Sequence, residues 1–512
     1  MAQTRTQLVV VNTLSNYLRF AVLFITFFIL TPVLVHGLGQ EAYGLWSLLN
    51  AVLGLFGLLD LGFGTATTKY VAHSIGARNE EQLNRVVNTI LVVYIGLALF
   101  ATLALAILAL FFNHMFHIHG HFASLSHPVL WILALRMVIL AMPLGLFRNI
   151  MYGRQQISLI NFAQIFSTII YAIVTWYALR HGAGLLGVAW ISFGSMLLEY
   201  GMYAGVVFAG RTISFAPRFF DRSFLREATS MSMYMFLANI AGLVLMRSDP
   251  IIIKMFLPLT AVTTYAVAQR IGENIFMLVK QFVNVLSPLV AQLHSAGNET
   301  NIRFILINAS RFALTPATIM LVGILAYGNQ AIVLWLGPSF RESGQILQIL
   351  VLAMWLLTPQ LTASMILTMT GEHRITGLAS LASMIVNLVV SIILIPLVGL
   401  KGSALGTLTA IVVVDVCYLI PYACRRHNVT LSSYLARVVP AVLVPGILDL
   451  VISLAMLRIF PATSFARIGM DMLPGMLIYL AIYWYFFVEP SEKELFRHKL
   501  LRRKRAEQAV EG

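Results

Sequence analysis

The chain has 512 residues, 59% hydrophobic and 11% charged, with mean hydropathy +0.86. A soluble domain carries about 25% charged residues, so the composition excludes a soluble enzyme and indicates a polytopic membrane protein. The net charge of +14 would suggest nucleic acid in a soluble chain; here loop topology accounts for it, and no nucleic-acid partner is expected.

Apolar runs of about 20 residues, broken by Gly, Pro and charge, predict an all-α protein with about 14 transmembrane helices. They fall near 10–35, 42–64, 86–112, 128–147, 157–179, 186–208, 229–256, 262–290, 304–327, 344–368, 375–398, 403–424, 437–460 and 470–488. The first run is too long for a signal-peptide core and reads as a retained helix. It carries Asn12, Ser15, Asn16, Arg19 and Thr26 on one face. Span two carries Asp60. The outer loop after span three holds His114, His117, His119, His121 and His127; no Cys or carboxylate completes a ligand set, so no metal site is expected. Arg136 lies in span four and Glu199 in span six.

The stretch from Ser230 to Gln292 concentrates charge in an apolar background. Span seven carries Asn239, Arg247, Asp249 and Lys254, and span eight Arg270, Glu273 and Lys280. On a wheel of about 100° per residue, Arg270, Glu273, Asn274, Lys280, Gln281 and Asn284 share an arc of roughly 120°. Charges kept at bilayer depth face a bundle interior or a watery cavity, where they pair or meet a ligand. Span nine carries Arg311 and span twelve Asp415. Arg19, Arg270, Lys280, Asn12, Asn16, Asn274, Arg247, Arg136 and Arg311 are therefore candidate substrate-binding residues for an anion such as a pyrophosphate, which arginine grips bidentately. The competing reading is that they form buried pairs or snorkel to an interface. Asp60, Asp249 and Glu273 are the candidates for binding a coupling ion, with charge balance as the competing role.

Cys417 and Cys424 share one apolar segment, which excludes a disulfide framework. Lys and Arg alternate between rich and poor loops, which places both termini in the cytoplasm. The basic tail Arg497–Arg505 is expected to sit on anionic membrane lipids. No loop is long enough to hold a soluble catalytic domain, so no catalytic residue and no cofactor is assigned. Gly182-x-Gly184-x-x-Gly187 matches the dinucleotide fingerprint in form only, because no strand precedes it.

An internal repeat is visible. Gly153-Arg-Gln-Gln-Ile157 matches Gly371-Glu-His-Arg-Ile375. Gly184-Leu185-x-Gly187-x-Ala189 matches Gly399-Leu400-x-Gly402-x-Ala404, and Thr31-Pro32 answers Asp249-Pro250, all at offsets of 215–218. Six spans per repeat give two lobes of the same orientation, pseudo-symmetric about a central cavity. The expected organisation is an N-terminal six-helix lobe over 1–210, a cytoplasmic linker over 211–226 and a C-terminal six-helix lobe over 227–426. Two additional helices over 427–490 and the basic tail over 491–512 follow.

Leu58-Leu59-Asp60-Leu61-Gly62, then Ala66 and Lys69-Tyr70-Val71-Ala72, resemble the polysaccharide-flippase branch of the multidrug/oligosaccharidyl-lipid/polysaccharide (MOP) exporter superfamily. Gly39-x-x-x-Tyr43-Gly44-Leu45-Trp46 and the pair Asp249 and Tyr265 agree with it. The resemblance implies a flippase, not an enzyme, that moves undecaprenyl-pyrophosphate-linked oligosaccharide across the bacterial inner membrane by alternating access. O-antigen lipopolysaccharide, capsule and exopolysaccharide are the pathways it implies, with a polysaccharide polymerase and chain-length regulator as partners and a proton or sodium gradient as the coupling source. Arg270 and Lys280 are expected to face Arg19 across the cavity, with Glu273 holding Arg270. The alternatives are a peptidoglycan lipid-precursor flippase or a drug/ion antiporter of the same superfamily. A membrane-embedded glycan polymerase or ligase would need a long outer catalytic loop, which the chain lacks.

Overall fold

The computed structural model describes residues 5–210, 213–490 and 492–493. The side chains of Arg5 and Asn239, residue Arg211, and the tail with its run Arg497–Arg505 lie outside the described residues. Every regular element among the described residues is helical, and twelve helical stretches are long and apolar enough to cross a membrane. Their exposed faces are apolar, as lipid requires: Leu14, Leu18, Ile25 and Ile29 on the first helix, and Leu99, Leu103 and Leu110 on the fourth.

The chain forms two compact units, Met1–Ala266 with Met384–Gly406, and Val267–Ser383 with Thr407–Gly512. The first unit begins with α1 (Arg5–Leu38) and α2 (Gln40–Leu55), then a 3-10 turn and α3 (Phe63–Gly76). α4 (Glu80–Met115) starts where the Asn79 side chain accepts from Gln82 N at 2.8 Å, a cap for an otherwise unsatisfied donor. α5 (His121–Leu135), α6 (Gly145–Gly153), α7 (Ile157–Arg180), α8 (Leu185–Ala209) and α9 (Arg222–Phe256) follow.

Two of the fourteen expected spans are not among the twelve. The stretch 229–256 lies within the continuous 35-residue α9. The stretch 128–147 is broken: α5 passes into a π-helical segment, Arg136–Ala141, then a turn, then α6. Pro143 explains the break. It has no N–H to continue the ladder and its ring crowds the preceding turn, and Met142 N reaches back five residues to Met137 O.

α10 (Leu259–Asn284) leads into the second unit. There α11 (Ser287–Ser295), α12 (Glu299–Leu336) and α13 (Arg341–Met369) are followed by α14 (His373–Val398) and α15 (Lys401–Ala410). The turn between α14 and α15 belongs to the first unit. The two helices meet closely there, because a Cβ on Gly402 or Gly406 would collide with Leu394 or Ser391. A π-helical segment, Ile411–Leu419, then joins α16 (Ile420–Arg426), α17 (Leu431–Ile459) and α18 (Phe465–Ile482). α17 and α18 pack on α12 through Ala326, Tyr327, Ile468, Ala441 and Tyr479.

Candidate functional site

The polar face of α1 is a seam with α7. Asn12 Nδ2 donates to Gln155 O at 3.3 Å, and Asn12 Oδ1 accepts from Ser158 N at 3.1 Å. Asn161 Nδ2 donates to Ser15 Oγ at 2.8 Å and to Asn16 Oδ1 at 3.0 Å. Arg19 donates from one terminal nitrogen to Gln164 Oε1 at 3.1 Å, while its buried Nε has no partner among the described residues. The spacing of three to four residues on both helices puts each pair one turn above the last. Asn161 and Gln164 carry no sequence signal, because single amides in an apolar helix form no pattern.

The Leu58–Gly62 motif forms a tight turn. Leu61 (φ 49°) and Gly62 (φ 81°) both take left-handed backbone, which lets Asp60 fold over the start of α3 and accept from Gly64 N at 3.2 Å. Its other oxygen accepts from the Tyr94 hydroxyl at 2.7 Å, and Asn149 Nδ2 donates to that hydroxyl at 3.2 Å. Tyr94 is packed in one buried cluster with Phe63, Leu146, Phe147 and Tyr200. Nearby, Tyr70 donates to Glu227 Oε1 at 2.8 Å, tying α3 to α9. Burial first, and then the Glu227 carboxylate, push its phenol up to about 12.

Arg136 sits in the π-helical segment and donates to Ser192 Oγ at 2.9 Å and to Asn50 Oδ1 at 3.4 Å. Arg247 lies against Gly54 of α2, where a Cβ would stand 3.1 Å from its Nε. Asp249, 4% exposed, accepts from Tyr265 OH and from Ser403 Oγ, each at 2.8 Å.

In the second unit, α10 shows its two sides. Gly272, Phe276, Val279 and Val283 are buried, at the four-three-four spacing of one helix face. Arg270 and Lys280 are exposed. Arg270 pairs with Glu273 at 3.1 Å, and Asn274 donates to Arg270 O at 2.9 Å. Arg311 is engaged differently. Its terminal nitrogens reach both oxygens of Glu492 at 2.6 Å and Phe487 O at 2.8 Å, with both charged side chains nearly fully buried. One terminal nitrogen is held by the Glu492 carboxylate and the other by the Phe487 carbonyl, which makes Arg311 a brace between α12 and the segment after α18. Among the described residues no group of three or more His, Cys, Asp or Glu side chains is arranged to hold a metal ion.

The profile of a family described as polysaccharide biosynthesis protein matches residues 6–294, more than half of the chain. The probable low-salt glycan biosynthesis flippase Agl15 of Haloferax volcanii is 22% identical over 240 residues, 43% of this chain. The chain matches about half of that relative's length, 49%. The fold is similar to the lipid II flippase MurJ in an inward closed conformation, with TM-score 0.71, 14% identity, and coverage of 96% of this chain and 100% of that one. It is also similar to an inward-facing multidrug resistance MATE-family transporter of the MOP superfamily, with TM-score 0.70, 17% identity, and coverage of 79% and 94%. The fold is that of the MOP transporters, as the sequence resemblance implies.

Proposed function

The chain belongs to the polysaccharide biosynthesis protein family, and from that premise we propose that it is a flippase for undecaprenyl-pyrophosphate-linked oligosaccharides in the bacterial inner membrane. The lipid tail stays in the bilayer while the polar head crosses by alternating access, with no chemical step and no cofactor. Arg270 and Lys280 receive the pyrophosphate; Arg19, Asn12, Asn16, Asn274, Arg136 and Arg247 are further candidate substrate contacts. Arg311 is the weakest member of the set, because Glu492 and the Phe487 carbonyl already hold its two terminal nitrogens. Asp60, Asp249 and Glu273 are the candidates for linking transport to a proton or sodium gradient. Both termini lie in the cytoplasm, where the basic tail meets anionic lipids. A polysaccharide polymerase and a chain-length regulator, acting in O-antigen, lipopolysaccharide or exopolysaccharide synthesis, are the proposed partners.

The observation that carries this reading is the exposed Arg270–Lys280 stripe on an otherwise apolar helix, in a chain of this family. Isolated cations are costly at bilayer depth, and guanidinium and ammonium groups match phosphate oxygens. Replacing Arg270 and Lys280 with Ala is expected to abolish surface polysaccharide while membrane levels of the protein stay normal. Full polysaccharide in both variants would overturn the assignment. The full-length likeness to MurJ favours, as a second reading, a flippase for peptidoglycan lipid precursors. Depletion of the protein separates the two: cell lysis supports the second, loss of surface glycan from viable cells the first.

A further inference from the structure

Two serine–carboxylate pairs stand at equivalent places in the internal repeat. The Ser167 hydroxyl of α7 donates to Glu199 Oε2 of α8 at 3.2 Å. The Ser383 hydroxyl of α14 donates to Asp415 Oδ2 at 3.3 Å. In both pairs the serine precedes the carboxylate by 32 residues. Each member of the second pair lies 216 positions after its counterpart, whereas the glycine turns between them, at Gly184 and Gly399, stand 215 apart. The second hairpin has therefore lost one residue before its turn and gained one after it. A gained residue rotates the rest of an α-helix by about 100°. The π-helical segment Ile411–Leu419 begins on that limb, and Ile420 N reaches back to Asp415 O. Its wider turn accommodates one extra residue, and Asp415 still meets its serine.

The surroundings of the two carboxylates differ. Glu199 also accepts from Tyr203 OH at 2.8 Å and has the Arg136 and Arg148 guanidinium groups as electrostatic neighbours. Asp415 is 4% exposed, and Ser383 is its one side-chain hydrogen-bond partner among the described residues. The charged residues of the elements around it lie at their far ends: Arg341 and Glu342 on α13, His373 and Arg374 on α14, Lys401 on α15, Arg425 and Arg426 on α16. Tyr418, Tyr422, Cys417 and Cys424 are the other titratable groups there, and none bonds to Asp415. A buried carboxylate without a cation takes up a proton rather than remain charged. A metal cation would need several more oxygen ligands than one carboxylate and one hydroxyl supply.

We propose that Asp415, with Ser383 as its donor, is a proton-binding site of the second repeat, the counterpart of the arginine-flanked Ser167–Glu199 pair in the first. Its use in driving transport rests on the flippase reading; its occupancy by a proton does not. Infrared spectra of the purified full-length protein at pH 7 test it. The carbonyl stretch of a protonated carboxyl group should be present in the native protein and in E199Q, and diminished in D415N. An identical band in D415N overturns the proposal. The native protein alone gives a second test, reaction with dicyclohexylcarbodiimide, which attacks buried protonated carboxyl groups, mapped by mass spectrometry. Labelling of Asp415 that fades as pH rises supports the proposal. Asp415 left unlabelled at every pH overturns it. Neither readout involves substrate, so a failed flippase assignment leaves the proton site standing, and the reverse.

Discussion

The Ser403 hydroxyl donates to Asp249 Oδ1 at 2.8 Å across 154 residues of chain. Tyr265 occupies the other carboxylate oxygen, so α9, α10 and α15 are joined at one buried acid. Hydrogen bonds to charged groups contribute roughly 1.5–3 kcal/mol each. Tyr265→Phe and Ser403→Ala should each lower stability by about that amount, read as detergent-resistant thermal unfolding of the purified protein. Asp249→Ala should cost more than either, because it removes both hydrogen bonds at once. If Asp249 also binds a coupling ion, Asp249→Asn will lose transport with only a modest fall in stability.

Glu273 competes with any anion for Arg270. Their pair is exposed on the arginine side, and exposed ion pairs are worth about 0.2–1 kcal/mol. Glu273→Gln should therefore strengthen binding of a pyrophosphate-bearing lipid by roughly 1.5- to 5-fold, and Arg270→Ala should weaken it. Both differences should shrink as salt is raised past about 0.15 M, where the screening length falls below about 8 Å. Fluorescence titration with a short-chain analogue measures this. Weaker binding in Glu273→Gln would mean that the carboxylate positions the guanidinium rather than occupies it.

The helical class was legible because lipid imposes one rule on every span: long apolar runs, with charge confined to ends and to one face. The stripe on α10 was legible for the same reason, since Arg270, Asn274 and Lys280 keep helical spacing against the buried Gly272, Phe276 and Val279. The partners were not. Asp60 was read as a candidate, yet its donor Tyr94 lies 34 residues on, inside an apolar run where a tyrosine reads as core. Arg311 looked like a lumen cation because Glu492, 181 residues away, sits in a short polar stretch after the last span. Local pattern reports burial and face. It does not report which face meets which.

Arg311 and Glu492 form a buried ion pair in which one terminal nitrogen meets both carboxylate oxygens. Removing one partner leaves a buried charge uncompensated, at a cost of about 3–5 kcal/mol. Arg311→Met and Glu492→Leu should each reduce the yield of folded protein strongly. The double replacement should recover most of the loss, since an apolar pair of similar volume avoids the desolvation cost. Size-exclusion profiles of the four proteins check it. A double variant as poor as either single one would show that the Phe487 carbonyl, which Arg311 also holds, is the contact that matters.

Gly62 takes φ 81° in the turn that carries Asp60. A side chain in left-handed backbone costs roughly 1–2 kcal/mol, so Gly62→Ala should destabilise by about that much and loosen the Asp60–Tyr94 contact. Gly57 lies five residues earlier with nothing within 4 Å of a Cβ. Gly57→Ala should be close to neutral, and it controls for the general effect of adding a methyl group in this loop. Thermal unfolding of the two variants side by side gives the answer.

Asp221 opens α9, accepting from Ser223 N at 2.8 Å, Ser223 Oγ at 2.6 Å and Phe224 N at 3.1 Å. The Ser223 hydroxyl first, and then the Phe224 backbone, hold its carboxyl below the ordinary value of 3.8. A depressed folded value means that the cap stabilises α9 fully above the ordinary carboxylate range. The contribution fades as pH falls through the lower folded value and the acid gains its proton. Replacing an N-cap Asp with Ala costs about 0.5–2 kcal/mol. At neutral pH, Asp221→Ala should therefore speed amide hydrogen exchange at Ser223, Phe224 and Leu225 by roughly 2- to 30-fold. Towards pH 3 the native and variant rates, each corrected for intrinsic exchange, should converge. A difference that persisted unchanged at low pH would place the stabilisation in the neutral hydrogen bonds of the turn rather than in the charge facing the first turn of the helix.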